Sequence, residues 1–306
     1  MKIDVIFTGG TIGSAMQKGY ISPTDSAKYN LIANYKSNFG NDVEFATHNP
    51  YTILSENLSA ETLNKLIKAV EESINTDSEG IIIAHGTDSL QYSAAAIYYC
   101  FGNNTKPIVF VSANYPLENP KSNGNINFEA AVEFIKQRQG RGVYVSYSND
   151  LKNVDVHSAI QILRHAEFDH KLFSLNGVYA TYQNRKFILN NDFCFDNVLP
   201  PDVKLFPESA GILNITVSPF EEYNYSLSGV KAVVFTPYHS GTLNTDSKKL
   251  RDFAKKASEE SVSMYVTGVV KGAEYQSVKA YNDLKIIPVY NTTSVALLVK
   301  LWLFGE

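Results

Sequence analysis

Two short runs carry the residue types that do chemistry. The first is Thr8-Gly9-Gly10-Thr11 in "IDVIFTGGTIG", and the second is His85-Gly86-Thr87-Asp88-Ser89 in "GIIIAHGTDSL". Each combines glycines with hydroxyls, and the second adds a carboxylate. Glycine lets a ligand approach the backbone closely, since no Cβ stands in the way. Successive amides in such a loop form a nest for an anion, the arrangement that stabilises an oxyanion when a carbonyl is attacked. Thr11 would then be an exposed hydroxyl beside the nest, with Thr87 and Asp88 supplying a second hydroxyl and an acid. Asp88 also has a plainer role as N-cap of the helix that "SLQYSAAAIYY" predicts, and both roles can hold together.

A nucleotide phosphate is the other occupant such glycines invite. The dinucleotide fingerprint is G-x-G-x-x-G with an acid about 20 residues on. Gly9, Gly10 and Gly13 give G-G-x-x-G, and Asp25 lies inside "SPTDS", which is no strand. No G-x-x-x-x-G-K-S/T exists, so a P-loop is excluded. An NAD-dependent oxidoreductase survives only as a distant alternative. Metal chemistry has little support: the six histidines, at 48, 85, 157, 165, 170 and 239, form no H-E-x-x-H, and there is no cysteine pair at zinc spacing.

The elements that must position these loops follow from hydrophobic pattern. "KIDVIFTG", "GIIIAHG", "KPIVFVSA" and "RGVYVSYS" are apolar almost throughout, as parallel strands covered on both faces are. "SAETLNKLIKAVEESI" predicts a helix with Leu63, Leu66, Ile67 and Val70 on one face and Ser59 as N-cap. "DSLQYSAAAIYYCF" and "NINFEAAVEFIKQR" predict two more. Strands alternating with helices imply an α/β fold: a larger N-terminal domain with a doubly wound, mostly parallel sheet. In such sheets ligands sit beyond the carboxyl ends of the strands, where "TGGT", "HGTDS" and "SANYP" fall. The proline-rich "NNDFCFDNVLPPDVKLFPES" then breaks the pattern. The expected organisation is an N-terminal catalytic domain over 1–190, a linker over 191–209 and a smaller C-terminal α/β domain over 210–306. In the last, "GILNITVSP", "KAVVFTP", "SMYVTGVV" and "KIIPVYN" read as strands, and "TPYHSGT" ends one of them.

Bulk composition narrows the function classes. The 306 residues carry 27 Lys and Arg against 31 Asp and Glu, a net charge of -4, which offers no footprint for nucleic acid. The basic "KQRQGRG" reads as a solvated turn before a strand. No apolar run of 18 residues exists, so no membrane span is expected. Two cysteines, Cys100 and Cys194, are no disulfide framework. Cys100 reads as a buried helix end, and a cytoplasmic protein is the simplest expectation.

With both loops, the linker and the second domain in order, the whole chain resembles the asparaginase and glutaminase amidohydrolases that use a threonine nucleophile. "FTGGTIG" is similar to the family's first motif and "IIIAHGTDSL" to its second, with Ser89 where threonine is also usual. "GYISP" resembles the lid segment that carries a catalytic tyrosine. "ILSENLS" resembles the loop that binds the amino-acid head of the substrate. "KSNGNINFEAAV" resembles a stretch of the shorter, intracellular, type I-like branch. The resemblance implies roles residue by residue. Thr11 would attack the side-chain amide of L-asparagine and form an acyl-enzyme, with Tyr20 closing over it and helping to activate it. Thr87 would orient or activate water, with Asp88 behind it. Ser55, Glu56 and Asp88 would hold the α-carboxylate and α-amino groups, beside the Gly10 and Gly86 backbone. No cofactor and no metal is implied. The expected partner is a small amino-acid amide, with no nucleic acid and no membrane. The resemblance also implies a homodimer or homotetramer, because family sites are completed by the second domain of a neighbouring chain.

Two departures stand out against that family. Its lysine behind the threonine–aspartate pair has no direct counterpart: aligning "HSA" (157–159) puts Arg164 there, while Lys171 falls seven residues later. Arginine keeps the charge but cannot act as a base at ordinary pH, and its planar fork is no simple replacement. Arg164 is expected to face Asp88. In "TPYHSGT", Thr242 occupies the position where relatives often have asparagine. The alternatives left open are therefore a catalytically impaired ligand-binding protein on the same fold, or a glutaminase or one chain of an amidotransferase.

Overall fold

The computed structural model describes residues 1–17, 19–23, 25–167, 169–193, 203–272 and 274–305. Contacts divide the chain into two units, Met1–Phe206 and Pro207–Glu306. The division falls inside the segment expected as a linker, of which residues 194–202 lie outside the described residues, Cys194 among them.

The first unit is built on an eight-stranded mixed sheet. Its strands are β1 (Lys2–Phe7), β4 (Glu44–His48), β5 (Ile81–Ala84), β6 (Pro107–Val111), β7 (Gly142–Tyr147), β8 (Val154–Ser158), β9 (Ala180–Gln183) and β10 (Lys186–Leu189). They lie in the order β10-β9-β8-β7-β6-β5-β1-β4. The five strands from β7 to β4 are parallel, and β5, β6 and β7 are buried at every residue, which is why they read as continuous apolar runs. Their order places β1 between β4 and β5, so the winding reverses between β1 and β5. Such a reversal opens a crevice beyond the strand ends, where ligands bind in open α/β sheets.

Helices α1 (Asp25–Phe39), α2 (Ala60–Ile74), α3 (Leu90–Phe101) and α4 (Gly124–Lys136) belong to this unit. α2 starts as its sequence predicts: the Ser59 hydroxyl accepts from the Thr62 N–H, and the Thr62 hydroxyl accepts from the Ser59 N–H. Its apolar face, Leu63, Leu66, Ile67 and Val70, is fully buried. The Asn64 side chain on α2 donates to the Phe206 carbonyl (3.0 Å) and accepts from the Phe206 N–H (2.7 Å). α4 is clamped to the sheet by two buried asparagines. Asn127 donates to the Ser112 carbonyl (2.8 Å) and accepts from the Ser148 N–H (2.7 Å), while Asn123 donates to the Ser148 carbonyl (2.9 Å). Cys100, near the end of α3, is a half-buried free thiol, pushed up to about 11 by burial.

Not anticipated from sequence were β4, the antiparallel β8, β9 and β10, and a small hairpin of β2 (Ser14–Gln17) and β3 (Tyr20–Pro23). β10 is half-exposed to exposed, so it lacks the apolar run of the central strands. The β9–β10 turn uses Asn184 and Arg185 with φ of 50° and 62°, both left-handed as a type I′ turn requires, but without the glycine that advertises one.

The second unit is a four-stranded parallel sheet, β11 (Ile212–Thr216), β12 (Ala232–Thr236), β13 (Ser263–Val266) and β14 (Ile286–Pro288), in sequential order. Its helices are α5 (Lys248–Glu259), the short α6 (Ala280–Asp283) and α7 (Ser294–Phe304). Val233, Phe235, Phe253, Met264 and Tyr281 lie in its core. Among the described residues no helix is long and apolar enough to cross a membrane.

Candidate active site

β1 and β5 deliver the two motifs side by side. Beyond Phe7 the chain keeps pairing: the Thr8 N–H and hydroxyl both donate to the Ala84 carbonyl (3.1 and 3.0 Å). Gly10 N–H then bonds the Ile53 carbonyl and Ile53 N–H the Thr8 carbonyl, both at 3.1 Å. This draws in the loop that carries Ser55. The glycines are required here. A Cβ on Gly10 (φ +74°) would fall 2.2 Å from the Gly86 Cα, and one on Gly9 (φ +105°) 2.2 Å from the Ile53 carbonyl oxygen. Thr11 begins a single 3-10 turn, Thr11–Gly13. It is half-buried, and among the described residues its hydroxyl has no partner.

Thr87 and Asp88 follow β5. Asp88 is held by Ser55, whose hydroxyl donates to the carboxylate (3.3 Å) and accepts from the Asp88 N–H (3.2 Å). Ser89 donates to the Ser55 carbonyl at 2.6 Å. Helix α3 starts one residue later than expected: Ser89, not Asp88, is the N-cap, and its side chain makes no capping bond because Ser55 takes it. Buried His85 bonds the Gly86 carbonyl (2.8 Å), and burial pushes its ring down to about 4, leaving a neutral structural histidine. Glu56 is exposed next to buried Ser55. Tyr20, on β3, is 77 % exposed, so no core packing accounts for it.

A cavity of about 630 Å³ opens beside Thr87 and Asp88. Asn114 after β6, Tyr147 at the end of β7 and Gln91 on α3 also line it. Its far side is the segment after β8, with Arg164, His165 and His170. β8 runs antiparallel to β7, so it carries the chain away from the site. The chain then turns back: Tyr147 donates to the His170 carbonyl (2.7 Å) and Asn149 to the Leu172 carbonyl (2.9 Å).

Arg164 thus shares a cavity with Asp88. It is exposed, and among the described residues it makes no ion pair. Its neighbour His165 is half-buried. Burial lowers the ring below the usual histidine range, against a hydrogen bond to the Lys171 backbone and the Asp88 and Asp169 carboxylates, which raise it. His165, Asn114, Tyr147 and Gln91 were not singled out from sequence. The available signals were weak: "SANYP" sits at a strand end, and His165 is one of six histidines. Among the described residues no group of three His, Cys, Asp or Glu side chains could hold a metal ion.

Known proteins share this arrangement of chain. The family model described as "Asparaginase, N-terminal" matches residues 2–185, more than half of the chain. The L-asparaginase of Thermococcus kodakarensis is 25% identical over an alignment covering 100% of this chain and 93% of that protein. One of the subunits of the glutamyl-tRNA(Gln) amidotransferase of Metallosphaera sedula is 30% identical over 138 residues, 44% of this chain; the match spans only 31% of that relative's length. The crystal structure of L-asparaginase I from Vibrio cholerae superposes with a TM-score of 0.80 at 21% identity, covering 99% of this chain and 92% of that one. The chain belongs to the asparaginase family.

Proposed function

We propose that the protein hydrolyses the side-chain amide of L-asparagine to L-aspartate and ammonia through an acyl-enzyme on Thr11. The observation that carries this reading is the pairing of two hydroxyl-bearing loops, in backbone contact at Gly10 and Gly86, beyond β1 and β5, where the winding of the sheet reverses. Thr11 Oγ1 attacks the amide carbon, ammonia leaves, and water directed by Thr87 and Asp88 releases the acid and regenerates Thr11. Tyr20 assists Thr11 from its hairpin. Ser55, by hydrogen-bonding Asp88 from both sides, presents the pair to the substrate's charged head, with Glu56 beside it as a partner for the ammonium. The 30% identity to part of an amidotransferase supports a second reading, in which glutamine or a glutaminyl-type amide is the substrate and ammonia passes to a partner protein.

Ammonia release by the purified protein, assayed with asparagine and with glutamine, separates the two. Thr11→Val keeps shape and removes the hydroxyl. It is expected to lower kcat by roughly 10³-fold or more while leaving substrate binding in place. Wild-type turnover in that variant would remove Thr11 from the mechanism.

A further inference from the structure

The cavity beside Thr87 and Asp88 is larger than the reaction proposed above requires. It measures about 630 Å³. At about 30 Å³ each, that is room for about 20 waters, whereas ammonia, the product that leaves first, is the size of one. Where the room lies matters as much as its size. Thr87 and Asp88 line it, and Thr11, Ser55 and Glu56 do not. The head of the substrate, held by Ser55 and Glu56 in the reading above, therefore has its place elsewhere. Thr87 and Asp88 direct the water that releases the acyl group. In such two-step chemistry the water reaches the acyl carbon from the side that the amine has vacated. The cavity thus lies on the leaving-group side of the amide, and a group carried on the amide nitrogen would enter it.

The far wall offers such a group a cation. Arg164 lines the cavity, is exposed, and makes no ion pair among the described residues. Its exposure leaves the guanidinium accessible to a ligand. The planar fork of N–H donors matches a carboxylate, which it can hold through two parallel bonds. Two carboxylates stand on the same segment. Asp169 accepts from the Lys171 N–H (3.0 Å), a bond within its own segment. Glu167 is exposed, lines the cavity and opposes an anion there. The wall is therefore of mixed sign, and Arg164 is the group on it that fits a carboxylate.

We propose that the site also takes β-aspartyl amides whose nitrogen belongs to a second amino acid, with Arg164 holding that amino acid's carboxylate; the proposal rests on the acyl-enzyme reading of the same site. Thr11 Oγ1 bonds to the β-carbonyl carbon, the C–N bond breaks, and the Thr11 proton leaves on the amine nitrogen. A free amino acid departs in place of ammonia. Water then adds its oxygen to the acyl carbon, the ester bond to Thr11 breaks, and one water proton returns to the Thr11 oxygen. The covalent steps are those of asparagine hydrolysis, and no further reactant is needed. Arg164 touches the leaving group and not the reacting atoms, so it determines specificity and takes no part in bond making.

The test compares three substrates: asparagine, β-aspartyl-glycine and β-aspartyl-glycinamide, the last having the same bulk without the carboxylate. Release of aspartate is followed in each case. The wild type should hydrolyse β-aspartyl-glycine and prefer it to the glycinamide by about tenfold or more in kcat/KM, as a charged hydrogen-bonded pair allows. Arg164→Gln should bring that preference close to unity, through KM and not kcat, and Arg164→Lys should restore part of it. Glu167→Gln should lower KM for β-aspartyl-glycine, because it removes the opposing charge. Hydrolysis of asparagine with neither β-aspartyl compound cleaved overturns the proposal and leaves the asparagine reading standing. Cleavage of both compounds without preference, or a preference that survives in Arg164→Gln, overturns the assignment of Arg164. The comparison of substrates on the wild type needs no variant, so it decides even where a variant fails to fold. A wild type inert on all three, and on glutamine, sinks the hydrolytic reading and this proposal with it.

Discussion

Single residues of the site differ in how openly the sequence displays them. The place of Thr11, Thr87 and Asp88 just beyond β1 and β5 was legible, because buried strands followed by glycine-bearing loops can be read from pattern. Ser55 was legible only through the family resemblance, and the structure adds its bonds to the Asp88 carboxylate and amide. His165 was not legible, because no local period marks a residue that reaches a cavity by a reversal of the chain. The expectation for Arg164 fares differently: it lines the cavity with Asp88, but among the described residues it forms no ion pair. Gly10 yields a sharp prediction. Its left-handed φ and the 2.2 Å approach of a Cβ to the Gly86 backbone leave no room for alanine. Gly10→Ala should destabilise the first unit by about 2–4 kcal/mol in urea unfolding and abolish activity. A loss within 0.5 kcal/mol, an approximate error of such measurements, would contradict the close contact.

Among the elements, the buried parallel strands and the amphipathic α2 were readable from period alone. The antiparallel strands β8 to β10 were not, since none of them is buried at every residue as β5, β6 and β7 are, and the β9–β10 turn lacks the usual glycine. α4 shows what a helix contributes to a site it does not enter. Asn127 and Asn123 tie it to Ser112, after β6, and to Ser148, after β7, and so fix the strand ends that carry Asn114 and Tyr147 into the cavity. Asn127→Ala would strand the Ser112 carbonyl and the Ser148 N–H in a dry interior. Each stranded group costs about 1–3 kcal/mol. The expected result is a clear fall in melting temperature together with reduced kcat. Asn64→Ala, away from the cavity, should lower stability while sparing kcat, and equal effects on kcat in the two variants would refute the division of labour.

At the scale of the molecule, the resemblance carries an expectation of assembly: light scattering at micromolar concentration should give at least a dimer, the commonest closed arrangement being two-fold. Full activity from a monomer would show that one chain completes the site alone. That there are two α/β units was legible from the proline-rich break in the sequence, because the run of prolines interrupts the strand and helix periods on either side of it. The bond pair between Asn64 and Phe206 has a consequence in time. It joins residues 142 apart in sequence. At roughly 5–20 residues per second of synthesis, Asn64 waits about 7–28 s for its partner to be made. Through that interval the nascent chain already contains α2 but cannot fasten it at this point. The amide side chain is polar, so what waits is a hydrated group and not an adhesive one, and the last residues of the first unit act as a clasp closed only after every strand of its sheet has left the ribosome.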